Sequence, residues 1–198
     1  IVISANIGPR GDGYKIDKAM TAAEAEDYHG WQVSVFRDTE ADLVSAFTIN
    51  YAEEGIGVVR ACRKAGIPSV ISFTVETDGS LASGQTIRDA IEQTDRETGN
   101  APVYYMLNCA HPTHFADALR KGEAWTARLR GLRANASMRS HAELDAAADL
   151  DIGDPADLGR RYNALRRQFG HFCVLGGCCG TDHRHVEQIS LACMAVAA

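Results

Sequence analysis

Short apolar segments rich in β-branched residues alternate along this chain with longer segments whose apolar positions repeat every three or four residues. The short segments suit buried strands, and the longer ones suit amphipathic helices. Strands are predicted over residues 1–7, 42–49, 69–75, 103–108, 129–134 and 172–176. Helices are predicted over residues 21–38, 53–65, 86–98, 112–119, 156–169 and 182–194. This alternation is typical of a parallel sheet with helices on both of its faces.

Local signals mark several of the predicted helix ends. Thr21 with Glu24 three residues later predicts a capping box at the first helix. Gly66, Gly99 and Gly170 follow the second, third and fifth helices and are predicted to end them. These signals agree with the periodicity, which strengthens the prediction of an α/β fold.

Six strand–helix units fit an open doubly wound sheet or part of a (β/α)8 TIM barrel. A typical barrel takes about 250 residues, and this chain has 198. It is therefore short of a barrel by roughly two βα units. We expect a single domain over residues 1–198, incomplete at its N-terminus if it is a barrel. Neither a G-x-G-x-x-G motif nor a phosphate-binding loop follows any predicted strand, which argues against the common nucleotide-binding folds.

Composition excludes several functional classes. Hydrophobic residues make up 45% of the chain and the formal net charge is −6, so a core can form, and neither nucleic acid nor an anionic membrane is the expected partner. No apolar stretch approaches the roughly 20 residues of a membrane span, and no secretory signal is visible. We expect a cytoplasmic location. In that reducing compartment, the six cysteines are expected to be metal ligands or buried residues rather than disulfides.

Three cysteines carry the clearest chemical signal. Cys178 and Cys179 are adjacent between glycines after the last predicted strand, and Cys109 follows the fourth. A glycine-flanked turn lets two neighbouring thiols converge, and a third thiol from another strand end leaves the fourth position of a tetrahedral zinc ion open. Three protein ligands with an open position are typical of catalytic zinc. Buried small residues or a vicinal disulfide remain the alternatives.

The other three cysteines and three histidines carry weaker signals. Cys62, Cys173 and Cys193 lie within predicted strands or helices and are expected in the core. His183 and His185 are expected on a solvated helix face. His111 could line a pocket beside the thiols or lie on a loop surface. The remaining strand-end residues proposed to line a substrate pocket are Gly8, Ser72, Thr74, Asn108 and Gly177.

Five segments together resemble one enzyme family over nearly the whole chain. They are Gly176-Gly177-Cys178-Cys179-Gly180-Thr181, Asn108-Cys109-Ala110-His111-Pro112, Ile7-Gly8-Pro9 with Gly11-Asp12-Gly13-Tyr14, Tyr28-His29 with Gln32-Val33, and Ile71-Ser72-Phe73-Thr74. The chain thus resembles the homocysteine S-methyltransferase family, whose members fold as (β/α)8 barrels. The resemblance implies that this chain is an α/β (β/α)8 TIM barrel that lacks its first two βα units. The double-cysteine motif is the specific part of the match, and the other segments support it.

The resemblance implies that Cys109, Cys178 and Cys179 bind Zn²⁺ and that the reaction is methyl transfer to a thiol, most simply from a small-molecule donor to homocysteine in methionine biosynthesis. The donors used in the family are S-methylmethionine, S-adenosylmethionine, betaine or a folate. A homo-oligomer is compatible with the sequence. A methyltransferase acting on another thiol, and a zinc-binding barrel or scaffold without catalysis, are the alternatives.

Two departures from the family pattern motivate these alternatives. The family's first strands carry an Asp-Gly-Gly motif that lines the homocysteine site, and no such segment is present here. Its fourth strand usually ends in a glutamate that holds the substrate amino group, and Phe47 takes that place. Asn135 matches a family asparagine only loosely, because Arg133 and Ala134 precede it where the family favours Tyr-Pro.

Overall fold

The structure is a computed structural model that describes residues 1–194. Its strands are β1 (Ser4–Ile7), β2 (Leu43–Ile49), β3 (Ser69–Phe73), β4 (Tyr104–Asn108), β5 (Leu129–Ala134) and β6 (Val174–Gly177). Its α-helices are α1 (Ala22–Arg37), α2 (Ala52–Ala65), α3 (Ile87–Thr98), α4 (Pro112–Phe115), α5 (His141–Asp145), α6 (Pro155–Gln168) and α7 (His183–Met194). None of the helices in this part of the chain is long and apolar enough to cross a membrane.

The strands occupy the sheet in the order in which they occur along the chain, from β1 to β6. β1 pairs in parallel with β2, β2 with β3, and β5 with β6. The predicted α/β class, with strands and helices in alternation, is therefore confirmed. The first strand begins three residues later than predicted, at Ser4, and the last runs one residue further, to Gly177.

The chain divides into two compact units. Unit 1 comprises Ile1–Thr74 and Ser80–Met106, and unit 2 comprises Val75–Gly79 and residues 107–194. Strands β1 to β3 and helices α1 to α3 belong to unit 1, and everything from α4 onward belongs to unit 2. A single domain over the whole chain stays a prediction.

In unit 1, the predicted helix ends are confirmed by their hydrogen bonds. Thr21 Oγ1 accepts from the Glu24 amide at 3.2 Å, and the Glu24 carboxylate accepts from the Thr21 amide at 2.8 Å, which completes the capping box. Helix α2 ends at Gly66 in the left-handed conformation, with φ 73°. Helices α1 and α2 pack closely because Gly57 has no side chain: a Cβ there would lie 2.3 Å from the Ala25 Cβ.

The end of β2 is the irregular part of unit 1. The pairing of β2 with β3 shifts register between Ala46 and Ile49. Thr48, inside this shift, has φ 61°, which is an unusual conformation for a β-branched residue. The chain at Gly13 approaches so closely that a Cβ there would lie 2.6 Å from Thr48 Cγ2. The strand that carries Phe47 therefore leaves the regular ladder at its carboxyl end.

In unit 2, one tyrosine joins the last two strands. Ala134 lies opposite Gly177 in the parallel ladder of β5 and β6. Tyr162 of α6 is fully buried; its hydroxyl accepts from the Ala134 amide at 2.8 Å and donates to the Gly176 carbonyl at 2.7 Å. Helix α6 therefore fixes the strand ends that lead into the double-cysteine segment.

Several local predictions in unit 2 are wrong. Gly170 does not cap α6, which ends at Gln168 with Phe169 as its C-cap. The predicted helix over 112–119 shortens to α4 followed by a 3-10 turn over Ala116–Ala118. Helix α5 was not predicted, although Ser140 and Glu143 form its capping box. Cys173 is exposed because β6 begins after it, whereas Cys62 and Cys193 are buried as predicted.

Candidate metal centre

Cys109 is held in a strained position at the end of β4. Its φ is 52°, a left-handed conformation that is uncommon for residues with a side chain and that concentrates at functional sites. Its amide donates to the Arg133 carbonyl at 3.0 Å, and its carbonyl accepts from Asn135 Nδ2 at 3.0 Å. These contacts with the end of β5 stabilise the turn that sends the Cys109 side chain out of the strand.

Hydrogen bonds also shape the turn after β6. The Cys178 amide donates to the Ala134 carbonyl at 2.9 Å, and the Cys178 carbonyl accepts from Thr181 Oγ1 at 2.7 Å. Gly177 cannot carry a side chain, since a Cβ would lie 2.1 Å from Thr181 Oγ1. Gly180 has φ 76°, which favours glycine. Both flanking glycines are thus needed for the turn, as the motif predicts.

The three predicted thiols meet within unit 2. The sulfurs of Cys109, Cys178 and Cys179 all lie within 4.8 Å of one another. Cys109 and Cys178 are joined as a disulfide, with their sulfurs 2.11 Å apart, and the sulfurs of Cys109 and Cys179 are 4.0 Å apart. Cys109 and Cys178 are therefore not the free thiols that the sequence predicts. Their disulfide must be reduced before they can bind a metal. The alternative of a vicinal disulfide between Cys178 and Cys179 is not what forms.

The donor set fits zinc in its thiolate form. A tetrahedral zinc with Zn–S bonds of about 2.3 Å holds its sulfurs about 3.8 Å apart, close to the 4.0 Å between Cys109 and Cys179. Cys109 is 4% exposed, while Cys179 is exposed. The cluster therefore has a buried side and an accessible side. Such an arrangement suits a metal with three protein ligands and one position for a substrate.

Asn135 is a polar residue at this site that the sequence indicated only weakly. It follows β5 and is 2% exposed. Its Nδ2 donates to the Cys109 carbonyl, and its buried Oδ1 has no hydrogen-bond partner. A buried acceptor without a partner is costly in a folded protein, so Asn135 Oδ1 is a candidate contact for a bound ligand. The signal in the sequence was its place directly after a strand.

His185 is buried, so its predicted place on a solvated helix face is wrong, whereas His183 is exposed as predicted. The His185 Nδ1 lies 3.1 Å from the Asp182 amide nitrogen and 3.0 Å from Asp182 Oδ1, and Nε2 lies 2.8 Å from the Ile152 carbonyl oxygen. The ring thereby joins the start of α7, just after the thiols, to the loop before α6. Its role is to hold the segment that carries two of the three thiols.

His111 is also buried, at 2% exposure, and it lines a cavity rather than a loop surface. It is the N-cap of α4, where its Nδ1 accepts from the Thr113 amide at 3.3 Å. Burial lowers the pKa of His111 to about 4, with a further lowering by the Arg161 guanidinium. The ring is therefore neutral at physiological pH.

The five residues predicted from their strand-end positions to line a substrate pocket lie at or beside strand ends in the structure. In unit 1, Gly8 directly follows β1, Ser72 lies buried in β3, and Thr74 follows β3 with its buried Oγ1 unpartnered. In unit 2, Asn108 is the last residue of β4 and is buried, and Gly177 is the last residue of β6. A role for these five residues in substrate binding stays a prediction.

Comparison with known proteins identifies the family. The model of the homocysteine S-methyltransferase family matches residues 1–193. The chain belongs to the homocysteine S-methyltransferase family. No curated protein sequence is significantly similar to the chain. The resemblance that the sequence motifs carry is thereby confirmed.

Solved structures with the same fold include three of the homocysteine methyltransferase MmuM from Escherichia coli. The metallated form has a TM-score of 0.69 at 18% identity, over 100% of this chain and 62% of that one. The apo form has a TM-score of 0.65 at 18% identity, over 100% of this chain and 64% of that one. The oxidized form has a TM-score of 0.66 at 19% identity, over 96% of this chain and 56% of that one.

These matches show the fold. The six strand–helix units are those of part of a TIM barrel, as the family resemblance implied. The chain spans 62% of the length of the metallated MmuM that it matches. The activity of a whole methyltransferase is accordingly a proposal for this chain.

Proposed function

We propose that the chain transfers a methyl group to the sulfur of a thiol held at a zinc site, with homocysteine as the acceptor and methionine as the product. The meeting of Cys109, Cys178 and Cys179 within 4.8 Å carries the proposal. Membership of the homocysteine S-methyltransferase family supports the reaction class.

Zinc bound to these thiolates would supply one piece of chemistry, which is to hold the acceptor as a thiolate near neutral pH. An unbound thiol, with a pKa of about 8.5, is mostly protonated at pH 7. The proton of the acceptor passes to solvent, its sulfur forms a bond to the methyl carbon, and the bond from that carbon to the donor breaks. A sulfonium or betaine donor leaves as a neutral molecule, so no general acid is required.

The contribution of the chain is to hold three thiolates and to orient the acceptor. The strained turn at Cys109 and the glycine turn around Cys178 hold the backbone at two of the cysteines before any ligand binds, which lowers the entropy cost of alignment. Asn135 Oδ1 offers a buried acceptor for a polar hydrogen of the ligand. Gly8, Ser72, Thr74, Asn108 and Gly177 are proposed to complete the pocket.

The central test compares two cysteine variants of the full chain, purified under reducing conditions. Wild-type protein and Cys173→Ala are expected to hold about one zinc per chain and to methylate homocysteine, because Cys173 is exposed and outside the cluster. Cys178→Ala is expected to lose both zinc and transfer. Metal analysis and methionine formation from S-methylmethionine, S-adenosylmethionine, betaine or a methylated folate measure the two properties. Full transfer by Cys178→Ala would contradict the proposal.

Phe47 favours a second candidate, which is transfer to a thiol without an amino-acid group. A phenyl ring cannot form the ion pair that a carboxylate forms with a substrate ammonium. Under this candidate, simple alkyl thiols are methylated as fast as homocysteine. Zinc binding without transfer to any thiol would instead support a non-catalytic zinc protein.

A further inference from the structure

One helix side chain reaches the strand ends that carry the thiols, and the proposed mechanism does not use it. Helix α6 buries one side of its surface, which consists of Leu158, Gly159, Tyr162 and Leu165. Tyr162 is the member of this set with a polar side chain, and it is 0% exposed. A buried hydroxyl is costly unless it has hydrogen-bond partners, so the partners of Tyr162 indicate what it holds.

Both partners of the Tyr162 hydroxyl are backbone groups of the last two strands. The hydroxyl accepts from the Ala134 amide of β5 at 2.8 Å and donates to the Gly176 carbonyl of β6 at 2.7 Å. Ala134 is the last residue of β5 and lies opposite Gly177, the last residue of β6. The hydroxyl therefore joins the two strands where both of them end, directly before the double-cysteine motif.

Residues 133–136 form a strand-end segment that connects this hydroxyl to the thiols. On one side, the segment bonds to Cys109. The Arg133 carbonyl accepts from the Cys109 amide at 3.0 Å, and Asn135 Nδ2 donates to the Cys109 carbonyl, also at 3.0 Å. The two residues that flank Ala134 thus hold the turn in which Cys109 has φ 52°.

On its other side, the strand-end segment bonds to the double-cysteine motif. The Ala134 carbonyl accepts from the Cys178 amide at 2.9 Å. The Ala136 amide donates to the Cys179 carbonyl at 3.0 Å. One short segment therefore contacts all three cysteines, and a shift of this segment relative to β6 would change the spacing of their sulfurs.

We propose that Tyr162 is a positioning residue for the thiol cluster, whose hydroxyl fixes the strand-end segment against β6 and thereby sets the spacing between Cys109 and the double-cysteine pair. This positioning does not require that methyl transfer occur. Its effect on metal affinity rests on the proposed function, since a zinc ion needs its sulfurs at matched distances. Tyr162 acts through the cysteines and not through contact with a substrate.

Helix α6 provides a firm base for the hydroxyl. Gly159, one turn before Tyr162, packs so closely on α7 that a Cβ there would lie 2.7 Å from the Gln188 carbonyl oxygen. A tyrosine side chain has two torsions, so ordering it costs little conformational entropy. Tyr162→Phe removes both hydrogen bonds and keeps the ring, and it is therefore expected to loosen the thiol spacing while the helix stays packed.

Tyr51→Phe is the matched control, because it removes the same atom from a buried tyrosine of unit 1. The Tyr51 hydroxyl also accepts from a backbone amide, that of Met20, at 3.2 Å, and Tyr51 is 5% exposed. The three thiols belong to unit 2. Both variants are expected to lose stability, and an effect on the thiols is expected in Tyr162→Phe alone.

The first measurement needs no metal. The full chain is equilibrated with glutathione and glutathione disulfide in the presence of a chelator. The Cys109–Cys178 disulfide forms as one glutathione disulfide is reduced to two glutathione molecules, and peptide mass spectrometry gives the effective concentration of the two thiols. Tyr162→Phe is expected to lower this concentration about tenfold, and Tyr51→Phe is expected to leave it within about twofold of wild type.

The second measurement uses Co²⁺ as a spectroscopic probe of a tetrahedral thiolate site. Competition with a chelator, followed at the thiolate-to-cobalt absorption band, gives the metal affinity. Tyr162→Phe is expected to bind Co²⁺ about tenfold more weakly than wild type, and Tyr51→Phe is expected to bind it equally. A hydroxyl with a purely structural role would lower the midpoint of urea unfolding without changing the metal affinity of the folded protein.

Unchanged thiol pairing in Tyr162→Phe, or equal losses in the two variants, would overturn the inference. If wild type binds no metal, the proposed function fails, and the glutathione equilibrium still decides the role of Tyr162. Where Tyr162→Phe does not fold, hydrogen exchange of the reduced wild-type chain decides instead. The amides of Ala134 and Cys178 are expected to exchange among the slowest of residues 107–194, and rapid exchange at both would overturn the inference.

Discussion

In each unit, one buried histidine contacts a group from a distant part of the chain, and these two histidines differ in how completely they are bonded. His185 of unit 2 uses both ring nitrogens, on the Asp182 amide and the Ile152 carbonyl. His29 of unit 1 uses only Nε2, which lies 2.9 Å from Glu54 Oε1, while its Nδ1 has no partner. Both rings are at most 1% exposed.

This difference in bonding shows which side chain holds the neighbouring segments in each unit. Both ring nitrogens of His185 have partners, so the ring acts as a complete bridge beside the thiols. The His29–Glu54 pair is partly unsatisfied, since Glu54 Oε2 is also buried without a partner. Glu54 Oε1 additionally accepts from the Arg10 amide at 2.6 Å. One carboxylate oxygen therefore anchors both α1 and the loop after β1, and its loss would affect more contacts than the loss of either ring nitrogen.

Glu54→Ala is expected to have the largest effect on stability. It leaves the buried His29 Nε2 and the part-buried Arg10 amide without their acceptor, and removing one member of a buried pair costs about 3–5 kcal/mol. Glu54→Gln keeps an amide oxygen at the same reach and is expected to cost less. Hydrogen exchange over residues 1–106, read by mass spectrometry, measures the loss within unit 1. Equal exchange in Glu54→Ala and wild type would show that the pair anchors nothing.

His185→Ala is expected to have an intermediate effect, about 2–4 kcal/mol, from the lost volume and two lost hydrogen bonds. Faster exchange is expected at residues 176–186 and at 150–153, with weaker zinc retention against a chelator. His185→Asn keeps an acceptor for the Asp182 amide, and His185→Gln keeps a donor for the Ile152 carbonyl.

These two conservative variants separate the two contacts of His185, so that each contact can be tested alone. If zinc retention is restored by His185→Asn alone, the contact with the start of α7 positions the thiols. Restoration by His185→Gln alone would assign that role to the loop before α6. Zinc retention that is unchanged in His185→Ala would contradict a positioning role altogether, because a purely structural contact would lower stability without moving metal affinity.

The sequence predicted those parts of the molecule that depend on local pattern. Alternating periodicity and caps such as Thr21–Glu24 depend on neighbours within a few residues, so the strands and most helices were predictable. The thiol cluster was predictable because Cys109 and Cys178 both follow strands, and the carboxyl ends of parallel strands lie at one edge of a sheet.

What the sequence could not predict depends on distant contacts. Burial of His185 requires the Ile152 carbonyl, 33 residues earlier, and an imidazole in a first helical turn otherwise suits a solvated face. The cavity beside the thiols depends on how the loop between β5 and α6 folds back, which places Asp154 and His111 in one lining. Neither residue is near the other in the sequence, and no motif connects them.

The smallest expected effect is a difference in alkylation between the thiols of the two units, and it involves no change in activity. Cys62 of α2 is fully buried, and burial raises the pKa of its thiol to about 12. Only the thiolate reacts with iodoacetamide, so below that pH the folded protein exposes almost no reactive Cys62. Reduced, metal-free protein at pH 8 is therefore expected to be alkylated at the exposed Cys173 and Cys179 while Cys62 stays unmodified until the chain is unfolded in urea. Peptide mass spectrometry reads each site separately. Early labelling of Cys62 in native protein would show that unit 1 opens locally. The anchoring attributed to Glu54 would then be weaker than its hydrogen bonds indicate.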